Sequence, residues 1–182
     1  MTAKLKIALF VSILLIESIG FAQAPSRRAQ VKLRGRGRSL LLSSGRVRRS
    51  LNVREQVLAA RLDEVKLLFV SHEDSFTYLL VDACGPSKPV PDARRCGAAD
   101  ECGLLWIKLD GALMMRDVKA ANYESCWTTS TSSDGYKIFG RKLSMEYDDF
   151  NARKHYKLSY DADQPKRAFS LEEFALVDRA AP

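Results

Sequence analysis

From residue 65 onward the chain is written in short runs rich in β-branched and aromatic residues, many with apolar side chains at every second position. That period belongs to strands and not to helices. Val65-Lys66-Leu67-Leu68-Phe69-Val70 and Phe76-Thr77-Tyr78-Leu79-Leu80-Val81 flank the polar segment Ser71-His72-Glu73-Asp74-Ser75 and read as a hairpin. Both runs are apolar on two faces, which predicts central strands covered on both sides. Leu104-Leu105-Trp106-Ile107-Lys108-Leu109 ends at the turn signal Asp110-Gly111, and residues 113–118 return as its partner.

The last third alternates more cleanly. Asp134-Gly135 opens a turn, residues 136–139 form a short strand, and Gly140 ends it. Leu143, Met145 and Tyr147 then oppose Ser144 and Glu146, while Tyr156, Leu158 and Tyr160 oppose His155, Lys157 and Ser159. Such strands fit an antiparallel meander with one wet face. Two segments stay open between helix and strand. Val53, Val57, Leu58, Leu62 and Val65 have helical spacing, and Ser170-Leu171-Glu172-Glu173 has the form of a capping box. The expected fold is mainly β: a small antiparallel β-sheet domain over residues 51–182, a sandwich or half-open barrel, with room for one or two short helices.

Cys84, Cys96, Cys102 and Cys126 form an even set, so two disulfides are the default in an exported chain. Cys84 ends one predicted strand and Cys102 begins the next, so a bridge between them closes the neck of the Pro-rich excursion 85–101. Cys96 then ties that excursion to Cys126. The rival reading is a zinc site, but the spacing holds no C-x-x-C knuckle and both histidines are remote in sequence. Neither metal nor cofactor is expected.

Export is itself an inference. Lys4 and Lys6 precede an apolar stretch over residues 5–16, and Ala22-Gln23-Ala24 follows as a small-residue cleavage site. This is the pattern of a secretory signal peptide, cut after Ala24 or Ala22, so residues 1–24 read as an address and the mature chain as secreted or periplasmic. The apolar stretch is short of the ~20 residues of a spanning helix.

The net charge of +7 divides unevenly. Residues 25–62 carry eleven Lys and Arg against Glu55 alone, whereas residues 63–182 carry sixteen basic against twenty acidic residues. With 46% hydrophobic residues the whole chain is not disordered. Residues 25–50, however, read as a disordered basic arm, because like charges repel, Gly35, Gly37 and Gly45 add freedom, and few large apolar groups offset the ordering entropy. Leu40, Leu41 and Leu42 are the exception and are free to dip into a lipid surface. The arm is a spacer, a pro-segment cut near Arg46-Val47-Arg48-Arg49, or an anion-binding element. In the last case Arg34, Arg36, Arg38, Arg46, Arg48 and Arg49 contact phosphate-rich surfaces such as anionic lipid or another polyanion. No aromatic interleaves the arginines, so no specific nucleic-acid recognition is expected.

Catalytic signatures are absent. No P-loop, G-x-G-x-x-G or G-x-S-x-G elbow occurs. His72 lies in a turn, and His155 lies on the polar face of a strand, where a histidine is most simply a surface residue. Trp127, beside Cys126 and the polar run 128–133, is either a ligand anchor or a ring laid on the disulfide. Trp127 and His155 are therefore the candidate ligand contacts. The sequence favours an exported, non-enzymatic binding or interaction module whose partner is an unknown protein or envelope component. The alternatives are a secreted hydrolase built from dispersed Asp, Glu and His, or a periplasmic enzyme inhibitor presenting the 85–101 loop.

Overall fold

The computed structural model describes residues 31–37, 39–53, 55–88, 96 and 99–176. The expected signal peptide, the first residues of the basic segment and Arg38 lie outside the described residues. Twelve strands form three antiparallel sheets. The first sheet holds β1 (Val31–Arg36), β2 (Ser39–Ser44) and β3 (Val47–Asn52) in chain order. The central sheet holds β4 (Glu64–Glu73), β5 (Phe76–Pro86), β6 (Asp100–Leu109) and β7 (Met115–Glu124), again in chain order. The last sheet holds β8 (Ser130–Thr131), β9 (Tyr136–Phe139), β10 (Lys142–Asp149), β11 (Lys154–Asp161) and β12 (Ser170–Ala175). Its order is β12-β11-β10-β8, with β9 also paired to β10.

The central sheet is apolar on both faces and is covered on both. Leu79, Val81 and Ala83 of β5 and Leu105, Ile107 and Leu109 of β6 meet Leu40, Leu42 and Leu51 of the first sheet. Their neighbours in sequence, Tyr78, Leu80, Leu104 and Trp106, point the other way, onto Leu143, Met145, Tyr147, Leu158 and Tyr160 of the last sheet. The pleat thus sends alternate residues of one strand into two different cores. The first core is aliphatic throughout, whereas the second is built around tyrosine and tryptophan. The Trp106 indole N–H donates to the Pro165 carbonyl at 2.9 Å, which anchors the segment after β11.

The basic segment is not a disordered arm over residues 31–52. It is the first layer of the fold. Leu33, Leu40, Leu42 and Leu51 share its inner face through the pairings Leu33↔Leu42 and Leu40↔Leu51. Leu40 and Leu42 are fully buried and so are not free to enter a lipid surface. Burying each leucine contributes about 1.5–3 kcal/mol, which offsets the roughly 1–2 kcal/mol per residue lost on ordering the backbone. Two glycines read as flexible are instead turn residues. Gly37 and Gly45 have φ of +59° and +58°. Both follow a strand end in a two-residue hairpin turn, a position that favours glycine.

Among the described residues no helix forms. The Val57 N–H donates to the Val53 carbonyl at 3.2 Å, and residues 57–63 then run on as an irregular connector. Val53, Val57, Ala59 and Leu62 are buried in the first core. The helical spacing is real, but it anchors a connector threaded between two sheets. A Cβ on Gly85 would lie 1.8 Å from the Arg61 carbonyl oxygen, so only glycine admits the connector there. The segment at 170–175 is β12, an exposed edge strand.

The cysteines pair as the sequence suggests, Cys84 with Cys102 and Cys96 with Cys126. Cys84 and Cys102 are direct cross-strand partners in β5 and β6, with Cα atoms 4.2 Å apart. Each bridge contributes about 2–4 kcal/mol, mainly by restricting the unfolded chain. Two disulfides are compatible with an oxidising, extracellular compartment.

Candidate functional site

Two sheet faces look outward, one at each end of the three-layer stack, and their charges are arranged in opposite ways. The outer face of the first sheet follows from its register. Lys32, Ser43 and Arg48 form one cross-strand row, Arg34, Leu41 and Ser50 a second, and Arg36, Ser39 and Asn52 a third. This grid carries four cations, hydroxyls, one amide and one leucine, and no acid. Lys32, Arg34, Arg36 and Arg48 are exposed. None of the four forms an ion pair among the described residues. Alternate residues of an antiparallel strand are about 6.8 Å apart, so Lys32, Arg34 and Arg36 make a row of about 14 Å along β1. Arg48 stands two strands away, about 10 Å across the face.

Of the other arginines singled out from the sequence, Arg46 sits exposed in the turn between β2 and β3. Arg49 pairs with Leu42 on the opposite side of the sheet, where its Nε donates to the Ala112 carbonyl at 3.4 Å. It belongs to the rim of the first core and not to the basic face. Lys32 belongs to the face as fully as any arginine. Its place was hidden because only the strand register separates outward from inward positions.

The outer face of the last sheet is equally charged but internally matched. Glu146 and Lys157 are cross-strand partners, with Lys157 Nζ 3.4 Å from Glu146 Oε1. Lys142 and Asp161 pair likewise at 3.3 Å. The Asp163 backbone N–H, helped by the Lys142 ammonium, holds the Asp161 carboxyl below its usual range. His155 lies between two carboxylates, Nδ1 at 2.7 Å from Asp148 Oδ1 and Nε2 at 3.5 Å from Glu146 Oε2. Its ring lies 6.1 Å from that of Phe174. An open groove of about 390 Å³ crosses this face between Ser144, Glu146, Lys157, Ser159 and Glu172. Its polar walls offset one another's charge, and both ring nitrogens of His155 are engaged.

Trp127 is half-buried directly after the Cys96–Cys126 bridge. Its backbone N–H donates to Ser125 Oγ at 3.1 Å, and its carbonyl accepts from Asn151 at 3.2 Å. The indole nitrogen is enclosed and makes no hydrogen bond among the described residues. The ring therefore does not present its polar edge to solvent. The structure leaves Trp127 and His155 on separate elements and brings neither to the basic face. At the neck of the 85–101 excursion, buried Glu101 accepts through Oε1 from the Cys126 N–H at 3.2 Å and from the Ser87 hydroxyl. Most of the excursion's tip lies outside the described residues.

No protein-family model matches the chain, and neither a curated protein nor a solved structure is similar to it.

Proposed function

We propose that the protein is an exported binding module that holds anionic partners against the outer face of its first sheet. The observation that carries this reading is the set of four cations on one pleated face, with no carboxylate among them and none of the cross-strand ion pairs that stitch the last sheet. Fixing like charges at this spacing is unfavourable. Two unit charges 6.8 Å apart in water repel by about 0.6 kcal/mol before screening. A fold that displays such a row gains by neutralising it with an outside anion. Guanidinium groups supply planar, two-pronged donors for sulfate, phosphate or carboxylate oxygens, and the intervening serines supply further donors.

Export fits the rest of the molecule. The N-terminal pattern is that of a signal peptide, and both disulfides call for a non-reducing destination, secreted or periplasmic. N-terminal sequencing of exported protein is expected to begin at residue 23 or 25.

The test compares wild type with a variant carrying Lys32→Gln, Arg34→Gln, Arg36→Gln and Arg48→Gln. Three probes suffice: heparin oligosaccharide, inorganic polyphosphate and vesicles containing phosphatidylglycerol. Wild type is expected to bind at least one of them at low salt, and the variant to lose that binding while keeping its circular dichroism spectrum. A variant that binds as well as wild type would refute the assignment of this face.

A further inference from the structure

We infer that the ligand of the basic face is a linear, non-aromatic polyanion, a sulfated or phosphorylated chain gripped through its oxyanions along β1. This rests on the reading of that face as an anion-binding surface and adds the shape and chemistry of what binds there.

The face is a track. Lys32, Arg34 and Arg36 lie in one line along a single strand, spaced at about 6.8 Å over about 14 Å. Arg48 is the only cation on the far row, level with Lys32. A chain with an oxyanion at each repeat can follow that line and meet a guanidinium or ammonium at every step, while Ser39 and Ser43 of β2 flank its path. A single small anion uses one cation and leaves the rest uncompensated.

The same grid argues against the other anionic surfaces. A lipid interface is entered by exposed aromatic and aliphatic side chains, and this face offers only Leu41, half-buried between Arg34 and Ser50 in the register. Leu40 and Leu42, the other leucines of β2, face the core. Nucleobases are held by stacking on aromatic rings, and the grid has none. What remains is charge presented in a row, and a ligand recognised by charge in a row.

The experiment titrates the full mature chain with a heparin hexasaccharide, with inorganic polyphosphate, with inorganic monophosphate, and with vesicles containing phosphatidylglycerol, over a range of salt. The two linear polymers are expected to bind. For the three cations along β1, log K should fall against log salt with a slope of about −2 to −3. Arg34→Gln should reduce that slope by about one. The polymer should bind about a hundredfold or more tightly than monophosphate at equal phosphate, because one chain engages several cations at once. Preference between the two polymers reports whether sulfate or phosphate is the better fit. Vesicle binding equal to polymer binding, with the same slope, would overturn the linear ligand and leave the basic face as a lipid-contact surface. Binding of monophosphate as tight as that of the polymer would also overturn it. Failure of the wild type to bind any probe would remove the anion-binding reading itself.

Discussion

The two flanking sheets cover the same central sheet and solve the same burial problem with different residues. The first sheet turns leucines inward and unpaired cations outward. The last sheet turns tyrosines inward and cross-strand ion pairs outward. On the outside of β10 and β11, Glu146 faces Lys157 and Lys142 faces Asp161, pairs of opposite sign. Nothing within the described residues does this for Lys32, Arg34 or Arg36. The difference teaches that charge density alone does not mark a binding surface. The last sheet satisfies its charge internally, and the first sheet leaves it to be satisfied from outside.

The strongest way to break this comparison is to deny that the first sheet is a structural layer at all. Leu42→Ala in the first sheet and Leu158→Ala in the last should each cost about 2–5 kcal/mol in denaturant unfolding, since both side chains are buried against the central sheet. If Leu42→Ala behaved as a surface change, within about 0.5 kcal/mol, the basic segment would be an arm after all.

A second effect separates the two cores by pH. Burial pushes the phenols of Tyr147 and Tyr160 up to about 12. An unfolded tyrosine ionises near ~10. A raised folded value means this contribution to stability is complete below pH ~10 and is lost as pH rises through about 12. No tyrosine lies in the first core. Hydrogen exchange at rising pH should therefore show protection failing across β10 and β11 before β2. Loss in the opposite order would contradict the division of the cores.

The smallest effects sharpen the contrast between the outer faces. Lys157→Gln removes the ammonium partner of Glu146 and should cost about 0.2–1 kcal/mol at low salt. Arg34→Gln relieves repulsion from its two neighbours and should raise stability by up to about 1 kcal/mol, an advantage that fades as salt is added. Thermal unfolding at two salt concentrations reads both. Equal losses from the two substitutions would mean that the cations of the first sheet have partners.

Much of this architecture is legible in the sequence, for reasons tied to particular residues. The β4–β5 hairpin announces itself because its strands are apolar and its turn is polar, and the β6–β7 hairpin because Asp110-Gly111 ends the apolar run of β6. The disulfide pairing follows because Cys84 and Cys102 bracket one excursion between adjacent strands. The first sheet is illegible for a physical reason. Its inner-face residues Leu33, Leu40, Leu42 and Leu51 are spread over three short strands among nine basic residues between 27 and 49, so the burial that orders them appears only when the central sheet is present. Leu41, outward and flanked by two inward leucines, masks the alternation. The basic face suffers most from this. Reading Arg34 and Arg36 as free arm residues finds the right charges, yet only the register adds Lys32 and removes Arg49.

The most direct test of the central claim uses two variants of equal charge. One carries Lys32→Gln, Arg34→Gln and Arg36→Gln on the first sheet, and the other Lys137→Gln, Lys142→Gln and Lys157→Gln on the last. Both remove three positive charges. In titrations with heparin hexasaccharide at low salt, the first variant should lose about a hundredfold in affinity and the second should stay within about threefold of wild type. Equal losses in the two would show that net charge, and not the unpaired face of the first sheet, drives binding.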